Sequence, residues 1–361
     1  MFKITFLPAR FGDAIWIQYG IETHPHYILI DGGTSGTRHQ IASALQSTAQ
    51  PEPHLDLLVI SHIDRDHIEG ILGLLEKDSP GFTAEEVWFN AFHHLPEDPQ
   101  EISFSPMQAE RLTARLADLG WGWNQAFGGS AVCLPAEGLL KPVTLAGGMK
   151  LTLLSPTFEA LLRLRSDWEE EIRQANLRQG VALPSNDDAT PEEEVSFEIP
   201  TLPDLDALAE SPFQEDTSTA NHSSIAFLAE YDGMRALFAA DAPAGDVLAA
   251  LERFSPEQAI NLDLLKVSHH GSRYTTSLAL IQKLACQRYI FSTNGSIFKH
   301  PDQEAIARVV AGSRGGSELY FNYFGPRNEI WNDQSLKERY DYRSIFPKPQ
   351  EPGITIDLAE K

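Results

Sequence analysis

Two histidines and two aspartates lie within the short segment from Ser61 to His67. Imidazole and carboxylate groups are the usual ligands of zinc and manganese where thiolates are not used. Asp66 and His67 are adjacent and project in different directions, as the ligands of two neighbouring ions would; two-metal hydrolases hold their ions about 3.5–4 Å apart. A helix cap provided by Asp66 would explain one carboxylate but neither imidazole. The segment therefore predicts a metal site.

Cysteine does not contribute to this site. Cys133 and Cys286 are the only two cysteines of the chain, and neither belongs to a CxxC pair. This spacing indicates neither a disulfide framework nor a thiolate metal site. Histidine and carboxylate side chains must therefore hold any ion.

Further candidate ligands follow two apolar runs in the second half of the chain. Asp241 ends the run 234–240, where a buried carboxylate is costly unless it is paired or metal-bound; a helix cap before Pro243 is the alternative. His269 and His270 follow the run 262–267. Adjacent side chains on an extended segment point oppositely, so we expect one of the two to bind metal. The sequence does not decide between them; we favour His270, with His269 contacting substrate.

The elements that position these residues form two comparable halves. Residues 3–7, 14–19 and 27–31 are β-rich runs separated by turn residues, which predicts an antiparallel start. Residues 55–60 form a buried strand that runs into the His62 to His67 segment, and a helix is expected from about 68 to 77. Residues 224–230 and 234–240 form a hairpin through Asp232-Gly233. Recurring strands and helices of this kind predict an α/β fold with two packed sheets covered by helices.

The segment around His62 resembles the HxHxDH signature of metallo-β-lactamase-fold hydrolases, with Asp64 in place of the second histidine. This HxDxDH form is similar to that of the nuclease domain of ComEC-type DNA-uptake proteins. Other segments occur in the family's order: Phe11 to Ile15, Leu29 to Gly33, Asn221 to Ser224, Ala240-Asp241, Leu264 to Ser272 and Asn294 to Pro301. The resemblance implies an αββα sandwich, in which two mixed β-sheets are flanked by helices.

The resemblance also implies roles for individual residues. The implied metal ligands are His62, Asp64, Asp66, His67, His222, Asp241 and His270, with Asp241 bridging two ions. Asp66, His269 and His300 are the implied catalytic residues, and Asp31, Ser272 and Asn294 would position the ligands or the substrate. ComEC-type proteins commonly have asparagine where we align His222. Simpler interpretations remain for Asp31, as a turn residue before two glycines, and for His300, as a helix start before Pro301.

Two divalent ions that share Asp241 would bind a water molecule between them and lower its pKa to about 7, which makes a hydroxide nucleophile available. Asp64 in place of histidine raises the oxygen content of the site, so Mn²⁺ is a candidate beside Zn²⁺. We expect a phosphodiesterase or nuclease that acts on nucleic acid. The alternatives are a hydrolase of a small phosphoester, such as a phosphorylcholine-type or cyclic-nucleotide substrate, and a catalytically silent scaffold with a structural metal.

Charge constrains the partners. The 361 residues carry a formal charge of −23, which argues against nucleic-acid binding through a broad basic face. We expect one domain, 1–361, with a helical or variable insertion at about 80–150 and an acidic one at about 184–220. The acidic insertion has eleven Asp and Glu and no Lys or Arg, which is typical of an exposed or disordered segment. It would shield the site until a regulatory protein partner displaced it. No apolar run reaches the roughly 20 residues of a membrane span, so a cytoplasmic location is the expectation.

Overall fold

The structure is a computed structural model. It describes residues 1–96 (except 49, 51 and 78), 107–166, and 202–360 (except 314, 349, 350 and 352). The statements below concern these residues. Its strands are β1 Phe2–Phe6, β2 Ile15–Ile21, β3 His24–Ile30, β4 His54–Leu55, β5 Leu57–Val59, β6 Thr83–Ala84, β7 Glu86–Trp88, β8 Gly122–Trp123, β9 Val143–Thr144, β10 Lys150–Ser155, β11 Ala226–Tyr231, β12 Met234–Phe238, β13 Ile260–Asn261, β14 Leu264–Lys266, β15 Leu284–Ala285, β16 Arg288–Phe291, β17 Ser317–Phe321, β18 Tyr342–Ile345 and β19 Ile354–Asp357.

The helices lie between these strands. They are α1 Arg38–Gln46, α2 Arg65–Leu75, α3 Met107–Leu119, α4 158–166, α5 Leu205–Ala209, α6 Thr219–His222, α7 Ala244–Phe254, α8 Leu278–Lys283, α9 Gln303–Gly312 and α10 Gln334–Tyr340. In the described part of the chain, no helix is long and apolar enough to span a bilayer.

Two mixed sheets form the centre of the molecule. The first has the order β19-β1-β2-β3-β5-β7-β8, and the second has the order β18-β17-β16-β14-β12-β11-β10-β9. In the first sheet β1 to β3 are antiparallel, as the sequence predicts, and β3, β5, β7 and β8 are parallel. In the second sheet β11 and β12 form the predicted hairpin, whose turn residues Asp232 and Gly233 both have positive φ. The pairs β4-β6 and β13-β15 lie outside the two sheets.

Alternation along the strands of the first sheet separates two apolar cores. Ile28 and Ile30 of β3 belong to the core between the sheets, whereas Tyr27 and Leu29 belong to the core beneath the helices. Successive side chains of a strand point to opposite faces, so one strand serves both cores. The second core also contains Ile41 of α1 and Ile71 of α2. The result is the predicted sandwich of helix, sheet, sheet and helix.

The first two turns of α2 pack tightly against two loops of the first sheet. A Cβ atom added to Gly12 would lie 1.8 Å from the carbonyl oxygen of Asp66, and one added to Gly70 would lie 1.9 Å from that of Gly32. Only glycine permits approaches this close. The loop after β1 and the loop after β3 are therefore fixed directly against the segment that carries Asp66.

The two expected insertions are built into the sheets and helix layers where the structure describes them. Within 80–150, β7 and β8 extend the first sheet, α3 contacts α2, and β9 joins the second sheet. Within 184–220, residues 184–201 lie outside the described residues. The rest is not a uniformly exposed segment, because Leu205 and Ala209 of α5 are buried and α5 packs on α9. Acidic composition predicts exposure poorly here, because the apolar residues Leu205 and Ala209 lie four positions apart on one face of α5.

Candidate metal centre

Asp31 links the ends of two parallel strands. It follows β3 in a left-handed conformation with φ of 59° and is completely buried. Its Oδ1 accepts a hydrogen bond from the backbone N–H of Ser61 at 2.7 Å, and its Oδ2 accepts one from the Ser61 hydroxyl at 2.7 Å. Nδ1 of His67 also lies 2.8 Å from Oδ2. Asp31 thus holds both the loop after β5 and the imidazole of His67.

The loop after β5 places His62 and Asp64 together. Nδ1 of His62 lies 2.9 Å from the Ser61 hydroxyl, and its Nε2 lies 3.5 Å from Oδ2 of Asp64. Asp64 is the N-cap residue of α2, yet its side chain makes no capping hydrogen bond. Asp66 lies inside the first turn and is not the cap. The capping interpretation therefore does not account for either carboxylate.

Four side chains from both sheets converge beside this loop. Nε2 of His67 lies 3.3 Å from Oδ2 of Asp241, which follows β12. Nε2 of His270, which follows β14, lies 3.6 Å from the same oxygen and 3.7 Å from Oδ2 of Asp66. Nε2 of His67 lies 3.9 Å from Oδ2 of Asp66. Donor atoms this close, from residues far apart in the sequence, fit around one small ion.

The imidazoles direct their Nε2 atoms into this space. Nδ1 of His270 donates to the carbonyl oxygen of Ser292 at 2.8 Å, and Nδ1 of His67 donates to the Asp31 carboxylate. Both acceptors lack a proton, so each Nδ1 carries a hydrogen, and in the neutral imidazole, which is the form that binds metal, each Nε2 would carry the lone pair. Nε2 of His62, His67 and His270 is buried without a hydrogen-bond partner. Buried polar atoms are rarely left unpaired, and bound metal ions would pair with all three nitrogen atoms.

A buried ion pair lies directly behind the cluster. The ammonium of Lys266, which is completely buried on β14, contacts Oδ2 of Asp13 and donates to the carbonyl oxygen of Ala240 at 2.9 Å. It also lies 3.6 Å from Oδ1 of Asp241. Ligand atoms of Asp13, His67, Asp241 and His270 lie within 4.8 Å of one another, so these four could hold a metal ion. Because Asp13 already contacts Lys266, we place Asp66 in the metal-facing set and Asp13 behind it.

The electrostatic environment keeps the carboxylates ionised. Burial alone would raise the pKa of Asp66, but the neighbouring imidazoles of His67 and His270 lower it to about 2. Burial opposes charge on Asp241 as well, yet His67, His270 and His269 hold its pKa well below the usual value. Ionised carboxylates are the form that binds metal.

His269 lies at the edge of the cluster. Its Nε2 is 3.8 Å from Oδ2 of Asp241, and its Nδ1 is 3.4 Å from Oδ2 of Asp216 and 3.2 Å from Nδ2 of Asn221. Nδ2 of Asn221 donates to the same Asp216 oxygen at 2.7 Å. Asp216 and Asn221 therefore fix the ring of His269 from the side opposite Asp241.

His222 is hydrogen-bonded to a carboxylate of α7. Its Nδ1 lies 2.6 Å from Oδ2 of Asp246 on α7, and this hydrogen bond, together with the carboxylate charge, raises the pKa of His222. The adjacent Asn221 contacts His269 instead, and its Oδ1 is buried without a hydrogen-bond partner. Neighbouring residues of a helix point in different directions, and here α6 presents Asn221 to the cluster. A ligand role for His222 stays a prediction.

The remaining predicted residues line the approach to the cluster. The ring of His300 lies 5.3 Å from that of His269, and its Nδ1 lies 3.5 Å from Oδ2 of Asp302. The backbone N–H of Ser272 donates to the carbonyl oxygen of His269 at 2.9 Å. The backbone N–H of Asn294 donates to the carbonyl oxygen of Arg10 at 2.8 Å. Ser272 and Asn294 thus stabilise the loops that surround the site.

Four residues of this arrangement were given no role in the sequence-based prediction: Asp13, Lys266, Asp216 and Asn221. Lys266 carries a recognisable signal, because a lysine inside an apolar strand must be paired when buried. Asp216 and Asn221 carry no such signal in the sequence. Their role depends on their contacts with His269, which is distant along the chain.

The pattern of the metallo-beta-lactamase superfamily matches residues 9–288 of the chain. The chain belongs to the metallo-β-lactamase superfamily. The predicted fold is thereby confirmed. Members of this superfamily are generally metal-dependent hydrolases, and the described residues of this member include a candidate metal-binding cluster in keeping with that chemistry.

Individual proteins resemble this metallo-β-lactamase-superfamily chain to different extents. ComE operon protein 3 of Bacillus subtilis (strain 168) is 28% identical over 206 residues, which cover 53% of this chain and 22% of that protein. The chain thus corresponds to less than a quarter of that protein's length. Among solved structures, the metallo-beta-lactamase fold protein YhfI from Bacillus subtilis has a TM-score of 0.39 at 12% identity, with 98% of each chain covered. A CmlA beta-hydroxylase E377D mutant has a TM-score of 0.37 at 11% identity, with 98% of this chain and 53% of the other covered.

Proposed function

We propose that the protein is a metal-dependent phosphodiesterase that cleaves nucleic acid. The observation that carries the proposal is the convergence of three unpartnered Nε2 atoms, those of His62, His67 and His270, with the carboxylates of Asp66 and Asp241. The HxDxDH form of the segment from His62 to His67 supports a nuclease, because it resembles the nuclease domain of ComEC-type proteins.

The residues divide into two ligand sets. Asp66, His67, His270 and Asp241 would hold one divalent ion, and His62 with Asp64 would hold a second that shares Asp241. We propose Zn²⁺ or Mn²⁺, since nitrogen and oxygen donors both contribute. Ions bound there would supply an activated water nucleophile and positive charge for the phosphate oxygens.

The chain's own residues would orient the substrate. His269 stands between Asp241 and Asp216, so its ring is fixed at the entrance to the cluster. The adjacent ring of His300 extends this wall outward. We propose that both imidazoles contact the scissile phosphodiester and that Asp216 keeps His269 in place.

The test combines metal content with phosphodiesterase turnover. Wild-type protein loaded with Mn²⁺ or Zn²⁺ should hydrolyse bis-p-nitrophenyl phosphate and nucleic acid. The variant Asp66→Ala with His67→Ala should lose both bound metal and turnover. The exposed pair His39→Ala with Asp118→Ala changes the same residue types elsewhere and should retain both. A protein that binds metal but hydrolyses none of these substrates would exclude the proposed function.

A small phosphoester is the second candidate substrate, and the formal charge of −23 favours it, because a polyanion is repelled by such a protein. Turnover of phosphorylcholine-type or cyclic-nucleotide esters without cleavage of DNA or RNA would establish this alternative. Metal content without turnover of any ester would indicate a scaffold with a structural metal.

We further propose that a regulatory protein partner controls access to the site through the acidic segment. A deletion of 187–201, which leaves α5 and Asp216 in the chain, tests this. Cleavage of DNA or RNA should rise in the deletion variant. Equal cleavage of DNA or RNA by wild type and the deletion variant would reject the proposal that the acidic segment controls access to the site.

A further inference from the structure

Three loop segments meet beside the metal cluster and expose arginine side chains. They are residues 7–14 after β1, 292–300 after β16 and 322–328 after β17. Their cationic residues are Arg10, Lys299 and Arg327, and the acidic residue within these ranges is Asp13, which is buried against Lys266, while Asp302 and Glu329 follow the second and third ranges. Exposed arginines are an anion-binding feature in a chain of formal charge −23.

Contacts hold the three loops together as one surface. The backbone N–H of Asn294 donates to the carbonyl oxygen of Arg10 at 2.8 Å, and the backbone N–H of Arg10 donates to the hydroxyl of Tyr323 at 2.6 Å. The side chain of Arg327 packs against Gly295, where an added Cβ would lie 2.9 Å from its Cγ. The exposed guanidinium groups of Arg10 and Arg327 form no ion pair with a described residue.

The same surface exposes aromatic rings. Phe298 is 51% exposed, and Phe324 is 59% exposed. The ring of Phe298 meets that of Phe11 edge to face at 5.7 Å and lies nearly parallel to the ring of His300, with centroids 6.4 Å apart. These contacts restrict Phe298 to one orientation while half of the side chain faces solvent.

The aromatic surface is continuous with the metal cluster. From Phe298 the next ring inward is that of His300, followed by that of His269 at 5.3 Å, whose Nε2 lies 3.8 Å from Asp241. On the opposite side, Gly12 packs directly on the backbone of Asp66. A chain molecule whose phosphate reaches the cluster would therefore continue across Phe298.

We infer that this surface, defined by Arg10, Phe11, Phe298, Phe324 and Arg327, binds a single-stranded nucleic acid, with a base stacked on Phe298 and phosphates at the two arginines. Unpaired bases expose the faces that stack on aromatic side chains, whereas the bases of a duplex are covered by their neighbours. The inference rests on the proposed phosphodiesterase function and names its substrate class.

Binding of a fluorescein-labelled oligothymidylate, measured by fluorescence anisotropy in EDTA, tests the inference without turnover. Phe298→Ala should raise the Kd by roughly 5- to 100-fold, because stacking on an aromatic side chain contributes about that much per base. Phe298→Trp should retain binding. Arg10→Gln and Arg327→Gln should each reduce the slope of log K against log salt concentration by about 0.7.

Two control variants remove an apolar side chain and an arginine that lie outside this surface. Ile21→Ala removes an exposed apolar side chain on β2, and Arg343→Gln removes an exposed arginine on β18; neither should change the Kd. The inference is overturned if wild type does not bind the oligonucleotide, if Phe298→Ala binds it as well as wild type, or if a blunt duplex binds equally tightly.

The two proposals fail in different ways. Turnover of bis-p-nitrophenyl phosphate combined with oligonucleotide binding that is independent of Phe298 retains the proposed function and rejects the surface. Oligonucleotide binding that depends on Phe298, without any phosphodiesterase turnover, retains the surface and rejects the proposed function.

Discussion

The imidazole of His67 donates its Nδ1 proton to Oδ2 of Asp31 across 2.8 Å. This hydrogen bond fixes the tautomer of His67 and aims its Nε2 at Asp241, 3.3 Å away. Asp31 also holds Ser61 at the end of β5. The arrangement of the metal-facing atoms therefore depends on a residue that does not itself face the cluster.

We expect Asp31→Asn to weaken metal binding by about 10- to 100-fold, the usual effect of removing a hydrogen-bonded partner of a metal-binding histidine. Isothermal titration calorimetry with Zn²⁺ or Mn²⁺ measures the change. Asp56→Asn is the matched control, because Asp56 also accepts hydrogen bonds from a histidine ring and a backbone N–H, but beside His26. Equal affinity in wild type and Asp31→Asn would contradict the assigned role.

Lys266→Met should destabilise the protein by about 3–5 kcal/mol, because it leaves the buried carboxylate of Asp13 without its counter-charge. Urea unfolding of the metal-free protein measures the loss. The double variant Lys266→Met with Asp13→Asn should recover part of it, since the second change removes the uncompensated charge. Strictly additive effects of the two substitutions would show that the ion pair contributes nothing to stability.

Gly12→Ala should disturb the centre through steric contact alone. The new methyl group would lie 1.8 Å from the carbonyl oxygen of Asp66, so the loop or the first turn of α2 must move. We expect a loss of about 1–3 kcal/mol in the free energy of unfolding, with weaker metal binding. Gly325→Ala meets no atom within 4 Å and should change stability by less than about 0.5 kcal/mol. A Gly12→Ala variant as stable as Gly325→Ala would refute the packing argument.

The stability of the metal-free protein should depend on pH through His67. Burial alone would lower the pKa of His67, but Asp241, Asp31 and Asp66 raise it well above 6.5. The folded state therefore holds this proton more tightly than the unfolded state. The stabilisation is complete below about pH 6.5 and is lost as the pH rises through the higher folded pKa.

Urea unfolding in EDTA from about pH 6 to about pH 9 measures this effect, and one proton contributes at most about 1.4 kcal/mol per pH unit. Asp241→Asn removes the largest charge that raises the pKa of His67, so its slope above pH 6.5 should be shallower. Identical slopes in wild type and variant would mean that another group causes the pH dependence.

Much of the centre could be predicted from local sequence. The segment from His62 to His67 lies between a buried strand and a helix, so its side chains had to share one turn. Asp241 and His270 follow apolar strands, and both lie in the cluster. The choice of His270 over His269 could not be derived from alternation alone, because both residues have positive φ and do not continue the strand.

The rest depends on contacts that no local pattern encodes. Lys266 meets Asp13 only because the loop after β1 packs against the end of the second sheet. Whether Asn221 or His222 faces the cluster depends on the orientation of the one-turn helix α6. Asp216 belongs to a segment whose composition predicts exposure, yet it contacts His269. In each case the decisive partner is distant in sequence.

The metal-facing side chains come from separate halves of the chain: Asp66 and His67 follow the first sheet, and Asp241 and His270 follow the second. An ion held by both pairs would act as a reversible cross-link between the two sheets, comparable in topology to a disulfide that joins distant segments. Its binding energy would then count as folding energy, so chelation should loosen the interface between the sheets as well as empty the site.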